Sequence, residues 1–129
     1  METRADCRYS QEHEWAKKET DGFRVGISDY AQSELGDVVY VDLPQPGSSV
    51  KAGQSFMTVE SVKAVSDVYA PFDGEVVSVN EQLADAPELL NTAPFDGGWL
   101  VLLRANNDAD YNKLMSADDY KAFVAESSK

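Results

Sequence analysis

The stretch Glu60-Ser61-Val62-Lys63-Ala64-Val65-Ser66-Asp67 decides how the rest of the chain is read. Phe56-Met57-Thr58-Val59 runs before its centre, and Val65 and Val68-Tyr69 follow. Both flanks have strand length and are rich in β-branched or aromatic residues, so the pattern predicts a hairpin over about residues 55–70 with Lys63 at its apex. A lysine placed there projects its amine on a flexible four-carbon stem, clear of the body. Most such lysines are simply solvated. What makes this one a candidate for chemistry is the company it keeps.

Outward from the hairpin, the signals are those of a mostly β domain. Phe23-Arg24-Val25-Gly26-Ile27 alternates as a half-buried strand does. Ser28 or Asp29 is placed to cap a short helix near residues 29–35, which Gly36 can end in the left-handed region. Val38-Val39-Tyr40-Val41-Asp42-Leu43 reads as a further strand, closed by the turn cluster Pro44-Gln45-Pro46-Gly47. Gly53 and Gly74 lie at nearly equal spacing on either side of Lys63, which suggests two similar halves related by a pseudo-twofold; alternatively, both glycines simply mark turns. After the strand Val76-Val77-Ser78-Val79, Pro87-Glu88-Leu89-Leu90-Asn91 reads as a helical turn, and Trp99-Leu100-Val101-Leu102-Leu103 as a buried strand behind the turn Pro94–Gly98. In the tail, Tyr111, Leu114 and Met115, then Tyr120, Phe123 and Val124, recur at helical spacing. They predict C-terminal helices over about residues 107–126, capped at Asn107 and Ser116. The expected architecture is a flattened β-sandwich or barrel forming a single domain over residues 1–129, with its core at about 9–125.

Composition narrows the function classes. The net charge of −12 leaves no basic stripe to neutralise phosphates, which argues against nucleic acid as a partner. Such a surface either serves solubility or docks to basic clefts on partner proteins. No apolar run reaches the roughly 20 residues of a membrane helix. The single cysteine, Cys7, excludes an intramolecular disulfide, and the single histidine, His13, leaves no triad or metal cluster to defend. The opening Met1–Cys7 resembles neither a signal nor a transit peptide, which favours a bacterial cytoplasm; a mature form in a mitochondrial matrix would look the same.

A carrier needs a reactive group on a long tether, and a lysine amine can hold one through a stable amide. Biotin carriers place methionine on both sides of the lysine, whereas this chain has Val62-Lys63-Ala64. Lipoate carriers resemble it more: an acid three residues before, as Glu60 is here, and alanine just after. The likeness extends along the chain. Tyr9-Ser10-Gln11-Glu12-His13-Glu14-Trp15, Val25-Gly26-Ile27-Ser28 with Ala31-Gln32, and Leu35-Gly36-Asp37-Val38-Val39 follow in order, as do Asp42-Leu43-Pro44, Glu60–Ala64, Ser66-Asp67, Tyr69-Ala70-Pro71, Gly74-Glu75, Pro87–Asn91 and Gly97-Gly98-Trp99. This series resembles the H proteins of the glycine cleavage system, over about residues 9–125.

The resemblance implies a lipoyl-domain sandwich and a non-catalytic shuttle. Lipoate, amide-linked to Lys63 by a lipoate ligase or lipoyl transferase that recognises Glu60, would receive an aminomethyl group from glycine at the pyridoxal-phosphate P protein (glycine decarboxylase). The T protein (aminomethyltransferase) would take the one-carbon unit, and the L protein (dihydrolipoyl dehydrogenase) would reoxidise the dithiol. A monomer is expected. In the family the loaded arm folds back onto the protein, and Glu14 and Asp67 match positions associated with that cleft; each also reads as a solvated surface acid. Tyr30 stands where the family usually carries histidine. It keeps a hydrogen-bonding tip but cannot titrate near neutral pH, so the arm is expected to dock with less protection of its load. A neutral structural exchange is the competing reading, and equal lifetimes of the loaded form in this protein and in Tyr30→His would favour it. An H-like protein that mainly relays lipoyl groups to other lipoyl domains is the alternative function; reconstitution with the P, T and L proteins separates the two.

Overall fold

The computed structural model describes residues 1–127. Nine strands make two antiparallel sheets. The larger has six strands in the order β1 (Cys7–Tyr9), β2 (Glu14–Glu19), β3 (Gly22–Ile27), β9 (Val101–Ala105), β8 (Gly74–Val79) and β5 (Ser49–Val50). The smaller orders β4 (Val38–Asp42), β6 (Ser55–Ser61) and β7 (Val65–Tyr69). Helix α1 (Asp29–Leu35) joins β3 to β4; the short helices α2 (Gln82–Asp85) and α3 (Leu89–Thr92) precede β9, and α4 (Ala117–Ser127) ends the described chain. The mostly β sandwich expected from the sequence is the observed architecture.

Strand alternation explains the two hydrophobic clusters. Ala16 and Val25 are register partners and face the main core between the sheets, with Val59, Val76, Val101 and Leu103. Their neighbours Trp15 and Gly26 point to the opposite face, where Tyr9, Phe95, Tyr120 and Val124 form a second cluster under α4. The indole of Trp15 lies flat on Gly26: a Cβ there would come within 2.6 Å of the ring. Burying side chains of this size contributes about 1.5–3 kcal/mol each, so α4 is held chiefly by its aromatic stripe. Cys7 belongs to this second cluster, and burial pushes its thiol up to about 12, which leaves it unreactive at neutral pH.

Several expectations need correction. The buried strand expected from Trp99 begins only at Val101; Trp99 packs instead under the Arg24 guanidinium, 4.9 Å from its ring centre. The first tail helix is a 3-10 segment, Asp108–Lys113, so Leu114 and Met115 lie beyond it, and Met115 bridges to Tyr9 as extended backbone. Asn107 caps it through Ala109 N–H, and Ser116 accepts from Asp119 N–H at the start of α4. Helix α2 falls where the sequence shows only polarity. Gly53 and Gly74 are not equivalent turns. Gly53 turns with φ 77°, whereas Gly74 opens β8 because Arg104 passes too close for a Cβ.

Candidate functional site

The hairpin of β6 and β7 carries Lys63 at its tip, and one serine shapes the turn. Ser61 N–H donates to Ala64 O (2.8 Å), and Ser61 Oγ accepts from Lys63 N–H and Ala64 N–H (3.2 Å each). Val62 N–H then donates to Asp37 O (3.0 Å), which ties the tip to the loop after α1. The Lys63 side chain is exposed, yet it does not wave free. Its Nζ donates to the carbonyl of Glu34 (3.1 Å), at the end of α1 where carbonyls lack helical partners. The stem lies over Gly36, whose φ of 76° suits glycine and where a Cβ would sit 2.9 Å from Lys63 Cε.

Glu60 projects from the outer face of the small sheet, opposite Tyr40 and Val65 in register. A β-bulge leaves Val39 unpaired beside it. Val39, Tyr40, Val62 and Val65 are all exposed, so Glu60 sits among apolar side chains close to the lysine.

A cavity of about 260 Å³ opens between the β1–β2 turn, α1 and β7. Glu14, Tyr30 and Asp67 all line it, so the three cleft residues singled out in the sequence converge in space. Glu60 does not belong to it. Its walls alternate between acids and apolar side chains such as Ile27, Leu35 and Val59. Glu34 links the two parts of the site, since its carbonyl holds Lys63 Nζ and its residue also lines the cavity.

Glu14 is the deepest of the acids, with 2% of its surface exposed. It starts β2 on the core-facing side, paired with Ile27, which explains its burial. Ser10 Oγ donates to one carboxyl oxygen (2.6 Å) and Tyr69 N–H to the other (3.3 Å). Burial outweighs these bonds and pushes the carboxyl up to about 8, so near neutral pH Glu14 is mainly a neutral acid. Its burial is not that of the solvated surface acid that the sequence also allowed. Asp67 is exposed and accepts from Ser55 Oγ (2.8 Å).

Glu34 and, above all, His13 line the cavity but escaped the sequence reading. The imidazole of His13 lies 4.9 Å from the Tyr30 ring, so the cavity keeps an imidazole although position 30 supplies none. Its proximity to Glu14 in the motif Ser10–Trp15 was the available signal. Among the described residues, no helix is long and apolar enough to cross a membrane.

Similar proteins place this arrangement. A family described as "Glycine cleavage H-protein" matches residues 7–127. The glycine cleavage system H protein of Anaeromyxobacter sp. (strain K) is 50% identical over 126 residues, covering 98% of each chain. A probable glycine cleavage system H protein of Natronomonas pharaonis is 53% identical over 121 residues, 94% of this chain and 95% of its own. The crystal structure of a glycine cleavage system H protein from Mycobacterium marinum superposes with a TM-score of 0.86 at 35% identity, covering 95% of this chain and 99% of that one. With the family matched across nearly all of its length and relatives at half identity, the chain belongs to the glycine cleavage H-protein family.

Proposed function

We propose that this protein is the lipoyl carrier of a glycine cleavage system, a single non-catalytic domain whose arm is attached at Lys63. The observation that carries this reading is the state of that amine. It is exposed at a rigid turn and bonded to a backbone carbonyl rather than to a carboxylate. Acylation therefore breaks no ion pair, and the N–H left on the amide can keep the bond to Glu34 O. Beyond Glu34 lies a cavity whose apolar walls suit an alkyl chain and whose acids suit a cationic amine.

Bound lipoate would supply a dithiolane able to accept and hand on a one-carbon amine unit; this chain's residues supply attachment, shelter and charge. Glu14, Asp67 and Tyr30, which line that cavity, would receive the end of the arm. A cation entering the cavity favours ionisation of Glu14, so the neutral acid becomes a partner only when its ligand arrives. Glu60 and its apolar neighbours lie on the outer face, suited to recognition by the lipoate ligase or lipoyl transferase. The P, T and L proteins are the proposed exchange partners of a monomer acting in the cytoplasm.

Intact mass before and after incubation with a lipoate ligase tests the assignment. A gain of one lipoyl group, abolished in Lys63→Arg, is expected; no gain on folded protein overturns it. Reconstituted glycine decarboxylation with P, T and L proteins then distinguishes the shuttle from a lipoyl relay.

A further inference from the structure

We propose that His13 is a positioning residue of the cavity, held in its Nε2–H tautomer by a one-way hydrogen-bond chain that begins on the backbone of α1 and passes through α4. What the ring serves rests on the arm-cleft reading above; the chain of bonds does not.

The direction follows from accounting for every hydrogen. Ala31 N–H can only donate, and it gives its proton to Ser28 Oγ (3.1 Å). Ser28 Oγ lies 2.7 Å from the Tyr120 hydroxyl, and that hydroxyl lies 2.8 Å from His13 Nδ1. Ser28 and Tyr120 are both fully buried, so neither hydroxyl hydrogen can turn to water. If Ser28 donates to Tyr120 and Tyr120 donates to His13 Nδ1, each hydrogen has an acceptor. The reverse order, with Nδ1–H donating to Tyr120, leaves the Ser28 hydrogen without an acceptor among the described residues. A stranded buried hydroxyl biases the two arrangements by roughly tenfold or more.

The backbone is fixed as firmly as the ring. His13 has φ 73°, a conformation side chains rarely adopt, in the tight turn between β1 and β2. Its N–H donates to Ser10 O (3.2 Å) and its carbonyl accepts from Ser28 N–H (2.9 Å). Three contacts thus hold one residue, two of them from the start of α1 or from α4. Burial also disfavours the imidazolium, although Glu12 and Glu34 pull the other way, and Tyr30, Tyr120 and Phe123 pack around the ring.

Tyr120 does not line the cavity, whereas His13 does. With Nδ1 taken by the Tyr120 hydroxyl, the Nε2 proton is the ring donor that His13 has left for the cavity it lines. Among the carboxyl groups of Glu12, Glu14, Glu34 and Asp67, this is a fixed neutral donor, suited to an acceptor atom of a docked arm. Helix α4, which touches no part of the lysine hairpin in this chain of bonds, thereby sets the polarity of the cavity wall.

Because His13 is the only histidine, imidazole proton–nitrogen correlation spectra at neutral pH report it alone. The expected spectrum shows Nε2 protonated and Nδ1 as a hydrogen-bonded acceptor, with a tautomer ratio of roughly ten or more. Tyr120→Phe keeps the ring stacked on Tyr9 at 4.4 Å but removes the hydroxyl, and should shift Nδ1 to an unbonded acceptor and lower that ratio several-fold. Nδ1 protonation in the unmodified protein, or an unchanged spectrum in Tyr120→Phe, overturns the proposal. Should that variant not fold, the parent spectrum still decides the tautomer. On lipoylated protein carrying the aminomethyl load the Nε2 resonance should move; no movement after the mass of the loaded arm is confirmed overturns the cavity role. Failure of Lys63 to gain mass would instead overturn the carrier reading, with the tautomer result standing.

Discussion

The buried carboxyl of Glu14 makes the stability of the fold depend on pH. The folded protein keeps its proton up to about pH 8, while in the unfolded chain the carboxyl ionises near 4.5. Between those values the folded state binds more protons, so this residue's contribution falls as pH rises through the window. Glu14→Gln, which preserves shape and a neutral head, should flatten that slope by a few kcal/mol across it. Denaturant midpoints at about pH 5 and about pH 8.5 check this; parallel pH profiles in parent and variant would assign the slope elsewhere. The same substitution should leave acylation of Lys63 intact, since Glu14 lies in the cavity and not at the hairpin tip.

Among the elements, α1 does the most joining. Its N-cap Ser28 meets α4, its side chains wall the cavity, and its last turn holds the lysine. Asn91 of α3 fastens the far end: it accepts from Val38 N–H and donates to Gln32 Oε1 and Gly36 O. Gly36→Ala should cost about 1–3 kcal/mol, because φ 76° with ψ −161° is a conformation essentially reserved for glycine, and displace the Lys63 stem, slowing acylation more than the loss of stability explains. Melting temperature and the initial rate of mass gain, measured together, separate the two effects. The elements that the sequence disclosed were those with local signals: Ser28 and Gly36 bracket α1, and β-branched runs flank Lys63. The corrections arose where tertiary contacts override pattern, as in Leu114 and Met115, helical by spacing but drawn into a bridge with Tyr9. Glu14, Asp67 and Tyr30 stood out in the sequence only through family likeness. That they share a cavity with His13 depends on a positive φ and on bonds from distant segments, which no local pattern encodes.

For the whole molecule, charge governs encounters. Among the described residues, ion pairs made by Arg4, Lys17, Arg24, Lys113 and Lys121 lie at the surface and add little to stability. The net charge of −12 remains to steer the protein towards basic partner surfaces. Its association rates with the proposed P, T and L partners should therefore fall steeply between about 0.01 M and about 0.15 M salt while dissociation rates change less. Stopped-flow measurement across that range tests it; a flat dependence would mean that docking is apolar, led by the patch around Tyr40. The meeting of Tyr9 with Met115 and Tyr120 also has a consequence for synthesis. The lysine hairpin is closed by contacts within some fifteen residues and can form as soon as it leaves the ribosome, but the wall containing His13 waits for α4, among the last segments made. A nascent chain can therefore present its lysine before the cavity beside it has its last wall.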